Sequence, residues 1–314
     1  MLYLLRRVVV LLTTLLLVSF LVFMLPYLTP GDPARKILRA RTGDLDLDPE
    51  TVERLRIEYG LDLPIMQQYW NWLKDALGGD IGISYTSGRP VAGMLGSALA
   101  NTATLAISAL LFALVVALIL GTIAAVKRGK PADSVITTIT QGFVAIPEYW
   151  MGPLLVLVFA LNMGVLPSAG WKGPLWMILP CLTLALRPMS YFTQVTRASM
   201  VDVLESPHIT AARSRGLSFG ETMLKHGVRN ALLPVVTLFS VWLAGLLGGS
   251  VVVEVIFAIP GMGRMLYQAI TNGDVPIIQA SVVCVVGLTV IITTATDALY
   301  RLINPTVRTS HGTR

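Results

Sequence analysis

The chain has 314 residues, 54% of them hydrophobic and 13% charged, with a net charge of +6 and a mean hydropathy of +0.70. That is more apolar surface than a water-facing globule can hide, so an ordinary soluble domain is excluded and lipid is the natural solvent. Cys181 and Cys284 both sit inside apolar runs, where thiols act as small hydrophobes, so neither a disulfide framework nor a metal cluster is suggested.

Six stretches are long and apolar enough to cross about 30 Å of hydrocarbon as helices: Val8 to Leu28, Ala98 to Val126, Val135 to Leu161, Pro174 to Ala198, Val228 to Ala258 and Ile277 to Tyr300. The first follows Arg6 and Arg7 as a signal peptide would. Its apolar run is too long for one, however, and no small-residue cleavage pattern follows, so it reads as a retained anchor. Between the first two spans, Thr29 to Ser97 has its own grammar. Asp48 and Pro49 form a cap and first turn for TVERLRIEY, which ends at Gly60. Pro64 opens MQQYWNWLKDAL, which Gly78 and Gly79 close. Tyr69, Trp70 and Trp72 place this second helix at the membrane interface, with a docking surface for an external partner as the alternative.

Charge in the short loops sets orientation. With a cytoplasmic N-terminus, the inner segments hold thirteen cations: Arg6, Arg7, Lys127, Arg128, Lys130, Arg197, Arg213, Arg215, Lys225, Arg229, Arg301, Arg308 and Arg314. The two short outer loops hold only Lys172 and Arg264. This positive-inside bias explains the basic balance and leaves no need for a nucleic-acid partner.

The inner loop 199–230 is too patterned to be a mere connector. Ser206 and Pro207 have the chemistry of an N-cap and first helical residue, and Gly216 suits the left-handed position that ends a helix, so two to three helical turns are expected between them. Ala211 and Ala212 give this helix a small-residue surface, and Arg213 and Arg215 supply charge beside it, the makings of a rigid peg for another protein. His208 and His226 belong to the same loop and His311 to the tail. None stands at membrane depth or at metal spacing, so a partner interface is the better role for the first two, and an intramembrane serine protease lacks its base.

Within the spans, Glu148, Arg187, Glu254 and Asp297 are expensive in lipid and must face protein, an interface or a wet cavity. Each is a candidate for a pathway or gate, with a structural ion pair weighed evenly against that role. Pro147 before Glu148 and Pro188 after Arg187 predict bends beside these charges. Gly245, Gly248 and Gly249 are expected to let helices approach closely.

Several of these segments carry a family resemblance. Thr210, Ala211, Ala212 and Gly216 are similar to the coupling-helix motif of ABC importer permeases, written EAA, three residues, then G; its acidic position is Thr210 here. HGVRNALLPVV at His226 to Val236 resembles the variant found in dipeptide, oligopeptide and nickel permeases. LLRRVVVLL, PGDPAR from Pro30 to Arg35, YGLDLPIMQQYWNWL, GDIGISYTSGRPV and GSVVVEVIFAIPGMGRMLYQAI from Gly249 to Ile270 agree with it in order. The chain thus resembles the B-type permease subunit of a binding-protein-dependent transport system inner membrane component.

The resemblance implies an all-α integral membrane protein, ABC type I importer permease-like. Six transmembrane helices, cytoplasmic termini and a small extracytoplasmic domain between spans 1 and 2 are expected of it. The domain plan is an anchor helix at 1–28, an extracytoplasmic segment at 29–97, a five-span core at 98–302 and a cytoplasmic tail at 303–314. It implies import of short peptides through the cytoplasmic membrane, with nickel or a metal chelate as alternative cargo. The implied partners are a sister permease in a heterodimer, two cytoplasmic ATPase subunits, an extracytoplasmic binding protein and membrane lipid. Pro207, His208, Thr210, Ala211, Ala212, Arg213, Arg215 and Gly216 would couple ATPase to pathway. No GxxxxGK[ST] sequence occurs, so this chain is expected to be no enzyme and to bind no cofactor, with ATP and Mg on the ATPase partners. An autonomous secondary transporter is the competing class, which has no need of a capped peg and for which no inverted repeat is found.

Overall fold

The computed structural model describes residues 2–28, 31–42, 48–216, 218–222 and 228–303. In chain order its helices are α1 Leu2–Leu28, α2 Pro33–Thr42, α3 Pro49–Glu58, α4 Ile65–Leu77, α5 Val91–Val126, α6 Pro131–Ala145 and α7 Glu148–Leu155. They continue with α8 Pro174–Leu204, α9 Pro207–Ser214, α10 Phe219–Thr222, α11 Arg229–Gly249, α12 Val251–Ile256, α13 Met262–Asn272 and α14 Val275–Ile303. A π-helical turn, Val156–Asn162, prolongs α7. Two compact units emerge, one from Met1–Thr102 with Pro260–Ile291, the other from Ala103–Ile259 with Ile292–Arg314.

In the first unit, α3 starts where Asp48 accepts the Glu50 and Thr51 amides and Pro49 takes the first turn, as its sequence predicts. Those bonds, led by the one from the Thr51 hydroxyl, hold the Asp48 carboxyl below its ordinary range. The same Asp–Pro pairing at Asp32 and Pro33 starts α2, with the Ala34 amide on Asp32 Oδ1 at 3.2 Å. Ala34, Ile37 and Leu38 of α2 bury themselves with Val52 and Leu55 of α3. Tyr69 is buried: its hydroxyl meets Ser19 at 2.9 Å and its ring lies edge-on to Phe20 and Phe23 of α1, while Trp70 stays exposed. The aromatic girdle expected of α4 is therefore in part a packing seam against α1.

The second unit is built around α8, against which α6, α7, α11 and α12 pack. The inward residues of α5 are Leu105, Ala106, Ala109, Leu110, Ala113 and Ala117, whereas Ile107, Leu111, Phe112, Val115 and Ile119 point outward. Small residues inside and bulky aliphatic ones outside invert the soluble pattern and suit a helix bathed in lipid. Gly121 continues this small-residue row. A Cβ there would stand 2.6 Å from Thr196 Cβ and 2.8 Å from the Thr193 carbonyl, so only glycine lets α5 meet α8 so closely.

Two expected spans are not single helices. Ile146 is forced into extended backbone (φ −88°, ψ 120°) by the ring of Pro147, and α6 and the α7 segment consequently diverge by 103°. The segment expected at Val228 to Ala258 is broken at Ser250 into α11 and α12. Among the described residues four helices are long and apolar enough to cross a membrane, at Arg7–Leu28, Val91–Val126, Pro174–Leu204 and Val275–Thr296; the bent pair makes a fifth if counted as one span. Pro234–Gly249 is apolar but shorter. Gly245 and Gly249 face outward with nothing within 4 Å, and Gly248 is exposed like them, so the close helix approach expected of this cluster falls at Gly121 instead. Both cysteines are free thiols.

Candidate functional site

The segment between α8 and α11 is where the sequence concentrates its signals. After α8 the chain turns at Glu205 and Ser206; the Ile209 amide bonds the Ser206 carbonyl at 3.1 Å, and α9 runs for eight residues from Pro207. It stops ahead of Gly216, whose φ of +91° lies in the region that L side chains avoid and where nothing crowds within 4 Å. Ser218 and Glu221 then make a reciprocal cap. The Ser218 amide and hydroxyl both donate to Glu221 Oε2, at 3.1 and 2.9 Å, and the Glu221 amide donates back to Ser218 Oγ at 3.3 Å. The result is a short α9, packed against α10, whose bounds are set at both ends by backbone chemistry.

Among the described side chains of α9, Ile209 is buried. Pro207, Ala211, Arg215 and Gly216 are exposed, so the part of the expected peg surface that Ala211 and Arg215 provide is open to solvent. The backbone of His208, Thr210, Ala212 and Arg213 belongs to α9, while their side chains lie outside the described residues. So do Lys225 and His226 of the loop, Pro30, and His311, Arg308 and Arg314 of the tail.

The base of this loop is fastened by ion pairs that reading the sequence did not find. Arg197 of α8 grips Asp133 of α6 with both nitrogens, Nε to Oδ1 at 2.6 Å and Nη2 to Oδ2 at 2.7 Å, and the Gly129 amide adds a third bond at 3.0 Å. Such a planar fork fixes angle as well as distance. Arg128, just past α5, pairs with Glu205 at the end of α8 at 2.5 Å. Three helix ends are thereby tied at the point where the loop departs. The available signal was an acidic residue in the first turn after Pro131, a usual place for one, but nothing local names its partner.

The four charges expected in a pathway separate into different environments. Glu148 opens α7 immediately after the bend, and Arg187 stands exposed on α8, against which α7 packs; the Arg187 charge acts on Glu148. Glu254 is instead fully buried, bonded by the Ser250 hydroxyl at 2.7 Å at the break between α11 and α12. It thus faces protein at a helix junction, the structural alternative weighed for it from the sequence. Asp297 stands on α14, with its side chain outside the described residues.

Among the described residues, no group of three or more His, Cys, Asp or Glu side chains could hold a metal ion. The described features are an exposed, capped helix on a tied base and, separately, a bent helix with a charge at its elbow. An exposed helix on a tied base is an arrangement that can make mechanical contact with a partner.

Residues 117–309 match the family model of the binding-protein-dependent transport system inner membrane component, and residues 1–110 match the N-terminal model of the same component. The glutathione transport system permease protein GsiC of Escherichia coli (strain K12) is 38% identical over 306 residues, 98% of each chain, as is GsiC of Shigella dysenteriae serotype 1 (strain Sd197). A chain of the inward-facing MetNI methionine ABC transporter is similar in fold, with a TM-score of 0.57 at 19% identity over 67% of this chain and 96% of that one. A chain of an amino acid ABC transporter follows at 0.51, over 67% and 94%. The chain therefore belongs to the binding-protein-dependent transport system inner membrane component family, as a multi-pass permease subunit of an ABC importer with the ABC type I importer permease fold.

Proposed function

We propose that this chain is the B-type permease of an importer for short peptides, forming a heterodimeric pathway with a sister permease. Two cytoplasmic ATPase subunits that carry ATP and Mg would drive it, and an extracytoplasmic binding protein would deliver cargo. The observation that carries this reading is α9: eight residues bounded by Pro207 and by Gly216 at φ +91°, exposed along Ala211 and Arg215, on a base tied by Asp133–Arg197 and Arg128–Glu205. A stiff helix transmits a rigid-body push from an ATPase subunit, whereas a floppy loop would absorb it.

Six spans with both termini in the cytoplasm account for the helices. Four are the long apolar ones, the fifth is α6 with α7, and the sixth is α11 extended by α12. Residues 29–97 then form the extracytoplasmic domain. Glu148 and Arg187, facing each other's charge at the elbow of the bent span, form a gate in this scheme. Peptide cargo is favoured because relatives of 38% identity are named for glutathione transport.

The test is Gly216→Val in the complex co-expressed with its ATPase subunits and sister permease. A β-branched residue is strained at this φ, so the end of α9 should refold locally. Transport-linked ATPase activity, stimulated by loaded binding protein, should fall at least tenfold while the assembled complex is recovered in normal yield. A variant that stays fully coupled sinks the coupling role of this loop.

A further inference from the structure

In the first unit a cavity of about 270 Å³ opens between the end of α1, the helices α2 to α4 and the start of α14. Two glutamines line it, both almost completely buried, and they differ in one respect. Gln68 is fully engaged: Tyr27 donates to its carbonyl, and its amide donates to the Leu61 and Leu63 carbonyls at 3.3 and 2.7 Å. Gln279 is only 6% exposed, yet its amide has no hydrogen-bond partner among the described residues. The amide atoms are open to the cavity rather than sealed in protein, so an occupant of the cavity is what would supply their partner.

The depth of the cavity points to the kind of partner. The candidate spans Arg7–Leu28 and Val275–Thr296 end and begin at its wall, where Tyr27 and Val275 both line it. This is the level at which two helices leave the hydrocarbon. Aromatic and charged groups share the lining. Trp72 packs on Phe23 with ring centroids 6.0 Å apart, giving an apolar wall that an acyl chain can follow. Lys36 brings an ammonium, one proton of which is held by the Pro26 carbonyl at 3.0 Å, and Asp75 brings a carboxylate that has no ion pair among the described residues.

We propose that this cavity binds the headgroup of a zwitterionic ethanolamine phospholipid. Lys36 and the Gln279 amide would take the phosphate and glycerol-ester oxygens, Asp75 the ammonium, and Phe23 with Trp72 the start of an acyl chain. The binding is independent of cargo and of coupling, and it requires only that α1 and α14 span the membrane.

The experiment is native mass spectrometry of the delipidated full chain in detergent, titrated with palmitoyl-oleoyl phosphatidylethanolamine and, separately, with phosphatidylglycerol. One tight ethanolamine-lipid adduct is expected, retained about tenfold better than the glycerol lipid, a difference of the size that one charge-assisted hydrogen bond carries. Gln279→Met, which keeps the volume and removes the amide, should lower adduct occupancy about tenfold. Should that variant misfold, Asn71→Trp on exposed α4 narrows the cavity mouth and should cause the same loss. No adduct on the unmodified chain, or equal retention of both lipids, overturns the proposal. Displacement of the lipid by millimolar dialanine also overturns it, assigning the site to free zwitterions.

Discussion

Asp133 and Asp274 are both buried almost completely, in different units, and they are held in opposite ways. Asp133 has a cation: Arg197 covers both carboxylate oxygens. Among the described residues Asp274 has none. Its oxygens are filled by a loop almost two hundred residues earlier in the chain, through the Ser84 hydroxyl at 2.6 Å, the Tyr85 amide at 3.1 Å, and the Thr86 amide and hydroxyl at 3.1 and 2.7 Å. It also caps α14, where the helix dipole favours an anion. An ion pair responds to charge and to salt, whereas a ring of neutral donors responds to shape alone. In the proposed coupling scheme the first suits a base that would transmit force to partners, and the second a loop that must simply stay in place. Enclosure in the neutral surroundings, beside Tyr59, also pushes the Tyr85 phenol above its ordinary value.

The largest expected effect breaks the neutral ring. Each oxygen of Asp274 receives a backbone N–H, so an amide satisfies only one side and Asp274→Asn should cost about 3 kcal/mol. Thermal unfolding in detergent, together with protease nicking near residues 80–90, would read this; an unchanged midpoint would show that the ring is dispensable. Next, Asp133→Asn should cost about 2 kcal/mol, with the loss shrinking as salt rises from 0.05 to about 1 M, whereas the Asp274 effect stays constant. A double-mutant cycle on Arg128 and Glu205, exposed by 55% and 69%, should return less than about 0.5 kcal/mol in the same assay. If the exposed pair couples more strongly than the buried one, the division drawn between them collapses.

The smallest effect lies at Asp48, fully in solvent. Its carboxyl is depressed in the folded chain, so the cap is intact above the unfolded carboxylate pKa of about 3.9 and is lost as pH falls through the folded value. Hydrogen exchange at the Thr51 amide should therefore accelerate in acid, relative to neighbouring amides, in the unmodified chain but not in Asp48→Asn, since asparagine caps without ionising. Equal acceleration in both would remove the carboxylate from the explanation.

The legible parts of this protein were local. Asp48 with Pro49, and Pro207 with Gly216, bounded α3 and α9 from their own chemistry, and Asp32 with Pro33 carried the same signal for α2, though it was read only as part of a motif. Pro147 announced the bend but not its 103°, because a proline excludes conformations without choosing the direction the chain takes afterwards. Glu254 and Arg187 look alike in sequence, as single charges in apolar runs; burial separated them.

By itself, then, the sequence determined class, orientation bias and the positions of helix ends, because hydropathy, loop charge, caps and glycines act over a few residues. Only tertiary structure decided which carboxylate meets which donor, that a close helix approach within this chain falls at Gly121, and that Gln279 lines a cavity with no partner among the described residues. Those outcomes depend on contacts such as Ser84 with Asp274, 190 residues apart, and no periodicity along the chain records which distant segments come to lie together.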